Sequence, residues 1–134
     1  MDMQAALRAR LVADAGVAAL VAGRIYWVQA PQDDGLPRIT LQIISDGRPQ
    51  TFHGFQPLRS TKVQVDCRAA SYSAASAIAE AVIAELATPE TSNGIIFGRP
   101  QIDAKRDGDL FERSNAQEIH RTSLDLIIWW SVSA

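Results

Sequence analysis

Polar and apolar residues alternate without a break from Lys62 to Ala69. Lys62, Gln64, Asp66 and Arg68 share one parity, and Val63, Val65, Cys67 and Ala69 share the other. Successive side chains of a strand point to opposite faces, so this stretch predicts a strand with one buried face. It ends a longer, irregular return over 51–68 that is interrupted near Gly54 and Pro57. A second alternation runs from 120 to 133. It places Thr122, Leu124, Leu126, Ile128, Trp130 and Val132 on one face, and Ser123, Asp125, Ile127, Trp129 and Ser131 on the other. Residues 38–45 give a third, with Ile39, Leu41 and Ile43 opposite Thr40 and Gln42. RIYWV, 24–28, is a short strand rich in aromatic and β-branched residues. Residues 94–105 form a further strand, kinked or at an edge because Pro100 has no amide hydrogen to donate.

Two stretches carry helical spacing instead. Met3, Leu7 and Leu11 stack at i, i+4 and i+8 in a helical stretch over 3–21, with a break at Gly16, a second short helix through Val17, Leu20 and Val21, and a stop at Gly23. Ile78, Val82 and Leu86 make the stripe of a helix over 73–87, capped by Ser71 or Ser73. Pro89 and the TSNG turn end it. The predicted order is α-β-β-β-α-β-β. Turn-linked strands with one polar face favour an antiparallel sheet. The expected fold class is therefore α+β: a two-layer sandwich, with about five mainly antiparallel strands and two helices packed on one face.

The 134 residues are 47% hydrophobic and 21% charged, enough apolar material for a single domain, 1–134, to bury its own core. The net charge of −2 supplies no global field that would draw the chain to nucleic acid. Arg8, Arg10 and Asp14 interrupt the first apolar stretch, which is neither a secretory core nor a membrane span. A soluble protein made in the cytoplasm, with no membrane partner, is expected.

Candidate chemistry is sparse. Cys67, the one cysteine, falls on the valine face, where a free thiol behaves as a small hydrophobe, while Asp66 points the other way. His53 and His120 lie far from it in sequence, and no pair has metal-ligand spacing, so no metal site and no cofactor are expected. DAKRDGDLFERS, from Asp103, puts Asp107 and Gly108 at the fifth and sixth positions of a calcium loop. Lys105 at its third position and Ser114 at its twelfth remove the carboxylates such a loop needs. With no glycine-rich phosphate cradle and no acid–base pair, no catalytic residue is expected. Surfaces are more informative. Residues 99–125 hold 11 charged side chains of mixed sign, which suit either a solvated hairpin or a subunit contact. Trp129 beside Ile127 is an apolar spot on a polar face, either covered by a loop or an interface anchor.

Several segments resemble one family over nearly the whole chain. They are RIY followed by APQ and LPRITLQ, the VQVDC strand running into an alanine-rich helix, and the final strand RTSLD. The family comprises small tail-completion, or tail-terminator-like, proteins of tailed phages, prophages and gene transfer agents. Arg38 and Arg68 depart from it, standing where an aromatic residue is common, as does Trp130, where histidine is common. The resemblance implies a structural particle protein without a catalytic residue. It implies a ring, a hexamer, that ends the tail tube and presents a surface to the head-side connector, with DNA free to pass through. Its partners would be other copies of itself, the tail tube protein and the connector, and its location the head–tail junction. The expected contact residues are Tyr26, Trp27, Arg106, Asp107, Asp109, Arg113 and Trp129. Two other classes remain: a small bacterial binding or adaptor domain without a ring, and a cysteine-dependent enzyme using Cys67 with His53 or His120.

Overall fold

Asp2 and Asp14 start the two N-terminal helices. The structure is a computed structural model that describes residues 2–30, 35–55, 57–108, 113–114 and 117–133. Asp2 Oδ1 accepts from the Ala5 amide at 2.8 Å and caps α1 (Met3–Ala13). The break expected at Gly16 falls at Asp14 instead. Its carboxylate accepts from the Val17 amide at 2.8 Å and opens α2 (Ala15–Val21). Capping chemistry, not glycine freedom, sets that boundary. Among the described residues there are three helices, the short α2 standing apart from the two long ones expected over the sheet.

In chain order follow β1 (Ile25–Trp27), β2 (Arg38–Gly47), β3 (Gln50–Thr51), β4 (Gly54–Phe55) and β5 (Arg59–Ala69). Next come α3 (Tyr72–Leu86), capped by Ser71, then β6 (Glu90–Ser92), β7 (Ile95–Phe97) and β8 (Gln101–Asp107). The short β9 (Arg113–Ser114) and β10 (Gln117–Glu118) precede β11 (His120–Val132). The main sheet has seven strands, in the order β1-β2-β5-β11-β7-β6, with β8 also paired to β11. β3–β4 and β9–β10 are separate two-stranded hairpins.

The pattern predicts five strands, and two features raise the number. TSNG is not only a helix stop: Asn93 (φ 51°) and Gly94 (φ 81°) form the tight turn of the β6–β7 hairpin. Left-handed residues at both positions match the twist of paired strands. The strand expected over 94–105 is also two strands. Proline cannot donate to a ladder, so pairing with β11 lapses between Phe97 and Gln101 and resumes on β8. Within 51–68, only Arg59–Ala69 joins the main sheet. One pair departs from the antiparallel expectation: β1 runs parallel to β2, from Ile25 beside Ile39 to Trp27 beside Leu41.

The alternations predicted for β2, β5 and β11 hold through the ladders. Cys67 lies between Ile39 and Thr122, and Val65 between Leu41 and Leu124. That face packs under the helices with Leu7, Leu11, Ile78, Val82 and Phe97 in one buried core. Val132, placed on this face by parity, is exposed.

Gly108 closes the far end of β8. Its amide donates to the Arg121 carbonyl at 2.6 Å. A Cβ there would stand 2.7 Å from Arg121 Cβ and 3.0 Å from its carbonyl oxygen. Gly108→Ala is expected to lower stability by about 1–3 kcal/mol, an overpacking cost. Urea unfolding of the variant tests this, and an unchanged midpoint would contradict it.

Candidate functional site

Cys67 lies on the core face of β5. It is fully buried, and burial together with the Asp66 charge pushes its thiol up to about 12. His53 is exposed in the turn between β3 and β4, on a separate hairpin. His120 begins β11 opposite Ala69. A thiol this protonated and this enclosed is a core residue, not a nucleophile. Among the described residues, no group of His, Cys, Asp and Glu has the geometry to hold a metal ion.

The open face of the sheet carries the polar parity of every long strand. Its centre is tightly bonded rather than loosely solvated. Asp66 is only 8% exposed, yet it accepts from Ser123 Oγ at 2.6 Å and from Gln64 Nε2 at 3.1 Å. Arg68 stands 3.7 Å from Asp66 and donates to Thr40 Oγ1 at 2.6 Å. A buried carboxylate survives only when its lone pairs are used in this way. Toward β8, Arg106 pairs with Asp125, and Lys62 with Asp103 at 3.1 Å. Both β5 and β8 are thereby joined to this face by ion pairs. On the opposite face, Lys105 donates to Glu80 at 2.7 Å and to Ser76 at 3.1 Å, tying β8 to α3. The Glu80 carboxylate raises the Lys105 ammonium above its ordinary value.

At the other end of the same face the character changes. Trp129 is 39% exposed, and Ile96, opposite Ser131, is 43% exposed. Ile127 lies two residues before Trp129 on that face and is half-buried. Gly98 donates to the Trp129 carbonyl at 2.8 Å, bringing its backbone close beneath. An apolar patch thus lies on the same face as the Arg106–Asp125 and Lys62–Asp103 pairs.

The expected contact residues divide on this geometry. Tyr26, opposite Thr40, Arg106 and Trp129 share the open face. Trp27 takes the core side, and its indole donates to the Gln4 carbonyl at 2.8 Å, so it fastens β1 to α1. Asp107 sits opposite Thr122 at the end of β8, away from the patch. Asp109 lies outside the described residues. Arg113 pairs with Glu118 through its backbone in β9, and its side chain lies outside the described residues. Ile96 was missed because the strand over 94–105 was given no partner. Its signal was the β-branched pair after the Asn93–Gly94 turn.

Comparison with known proteins agrees with this architecture. The family described as tail completion protein gp17 matches residues 5–130. A chain in the solved structure "Virion of native gene transfer agent (GTA) particle" has the same fold, with a TM-score of 0.70 at 21% identity. The alignment covers 96% of this chain and 94% of that one. No curated protein matches the chain. No helix among the described residues is long and apolar enough to cross a membrane. The match spans all but the ends of the sequence, and the chain belongs to the tail completion protein gp17 family.

Proposed function

We propose that this protein assembles as a closed ring, a hexamer, that ends the tail tube and joins it to the head-side connector. The observation that carries the reading is the open sheet face, where the exposed Trp129 and Ile96 adjoin the Arg106–Asp125 and Lys62–Asp103 pairs. The opposite face is covered by its own helices, so each copy is a wedge with two unlike sides. A head-to-tail contact between unlike surfaces closes into a ring when its rotation fits. Family membership supports the tail as the setting. The partners on this reading are neighbouring copies, the tail tube protein and the connector, with DNA passing through the ring rather than being read in sequence.

Trp129 and Arg106 are the residues to change. Trp129→Ala is expected to lower the thermal midpoint modestly without unfolding the chain, because Trp129 is 39% exposed and the rest of it is covered. It is expected to weaken self-association at least about tenfold, as for an interface anchor. Arg106→Glu places a second carboxylate against Asp125 and should weaken assembly in a salt-dependent way. Sedimentation of folded variants measures both. Normal assembly of both variants would remove the open face as the subunit contact.

A further inference from the structure

Like charges directly opposite one another across a sheet destabilise it. Near the start of β11 three stand in one row. Arg121 is opposite Arg68 of β5, and Arg68 is opposite Arg38 of β2. All three hold the polar parity of their strands, so they share the open face. Arg24, just before β1, extends the row. It has the parity of Tyr26, and its carbonyl accepts from the Ile39 amide at 2.9 Å. Its Nε donates to the Pro37 carbonyl at 2.7 Å, beside Arg38. Four guanidinium groups thus follow one another across the sheet. At a strand spacing of about 4.8 Å, their backbones span about 14 Å.

The fold accounts for only part of this row. Arg68 donates to Thr40 and stands 3.7 Å from Asp66, so it helps to hold the centre of the face. Arg38 makes no ion pair with another described residue, and its Nε is buried without a hydrogen-bond partner. Asp66, two residues along from Arg68, is 8% exposed and already accepts from Ser123 and Gln64. The surroundings point to the kind of partner. The next residues along this face are Tyr26, Thr40, Asp66 and Ser123, whereas the exposed Trp129 lies at the other end of β11. A protein–protein contact has an apolar centre, and a surface this polar and positive suits nucleic acid better. One strand of duplex DNA carries a phosphate about every 3.4 Å along the axis, so the row faces about four of them. Planar guanidinium forks bond phosphate oxygens two at a time. The net charge of −2 is an average over the chain and conceals this local excess.

We infer that Arg24, Arg38, Arg68 and Arg121 form a docking row for the phosphate backbone of duplex DNA, which they contact without reading its sequence. The inference goes beyond the ring reading and is tested without it, on the full chain free in solution. Fluorescence anisotropy of a short labelled duplex of arbitrary sequence is expected to show binding at about 1–100 µM protein in low salt. The affinity should fall about a hundredfold between about 50 and 200 mM salt, as counterions of about four phosphates are released. Arg38→Gln is expected to keep the wild-type thermal midpoint, because it removes no ion pair and relieves like-charge crowding. It should lower the salt slope by about one, and Arg121→Gln should do the same at the far end of the row. Arg48→Gln removes an equal charge from an exposed site between β2 and β3 and should leave the slope unchanged. No binding at about 100 µM protein, or an equal loss in Arg48→Gln and in the row variants, overturns the inference and leaves the ring reading intact. Displacement of the duplex by polyglutamate of equal charge also overturns it, and assigns the row to an acidic protein surface. A chain that binds the duplex through Arg38 yet forms no ring keeps the inference and removes the ring reading.

Discussion

Replacing Arg10 with alanine is expected to destabilise the fold by about 3–5 kcal/mol, the scale of breaking a buried ion pair on one side. Arg10 lies on α1 with its side chain almost wholly enclosed. Its Nη2 donates to the Glu85 carbonyl at 2.8 Å and to the Thr88 carbonyl at 2.6 Å, and its Nε to Glu85 Oε1 at 3.0 Å. Glu90 stands 3.4 Å away, and the guanidinium lies 5.5 Å from the Phe97 ring centre. One side chain thus satisfies the last carbonyls of α3 and joins that helix to α1 and to the β6–β7 hairpin. A cation at a helix C-terminus is also favoured by the helix dipole.

The Arg10→Ala deficit should depend on pH. Burial pushes the Glu85 carboxyl above its ordinary value of 4.5, and the Arg10 hydrogen bond opposes that push. Without Arg10 the Glu85 value rises further. A carboxyl whose folded value is raised favours the folded state below its unfolded value and loses that advantage as pH rises through the folded value. The deficit is therefore expected to be smaller near pH 4 than at pH 7. Arg10→Lys should not restore stability, because an ammonium lacks the planar fork that spans these acceptors. Denaturant unfolding at both pH values checks this. A loss under about 1 kcal/mol would mean that the network contributes little.

Cys67 in the native protein is expected to react with iodoacetamide at pH 8 about a thousandfold more slowly than the same thiol unfolded. The thiolate is the reactive form, and a value of about 12 in place of 9.0 lowers its population by that factor. Full burial adds a requirement for local opening. The same shift predicts a stability slope. Between 9.0 and about 12 the unfolded chain releases a proton that the folded chain keeps. Stability then falls by about 1.4 kcal/mol per pH unit over that window from this group alone. Cys67→Ala should lack that component. Mass spectrometry of labelled native and denatured protein reads the first effect, and rapid native labelling would reopen a chemical role for the thiol.

Where the sequence was readable, one face of an element faced a uniform environment. β5 and β11 are central strands, each with one side under helices, so parity alone identified Val63, Val65, Cys67, Leu124 and Leu126 as core. The same logic placed Trp129 on the opposite face from Trp130. Arg10 was obscured because a charge in an apolar run reads as solvated. Its spacing was nonetheless informative: Met3, Ala6, Leu7, Arg10 and Leu11 are the buried residues of α1, and they form one stripe. Asp66 was likewise read as a surface group, since its partner Ser123 is 57 residues away and only the ladder register brings them together. The parallel pairing of β1 depends on how the chain returns to the sheet, which local pattern does not encode; Asn93–Gly94, by contrast, is a local hairpin signal that also ends the helix.

The central claim is that unlike surfaces of this wedge join head to tail and close. The most direct measurement is the mass of the purified full chain by light scattering, alone and after incubation with purified tail tubes, with negative-stain imaging of the same samples. A closed ring of about six copies, free or seated at the tube end, is the predicted result. A species that remains a monomer in solution and leaves the tube ends bare would contradict it.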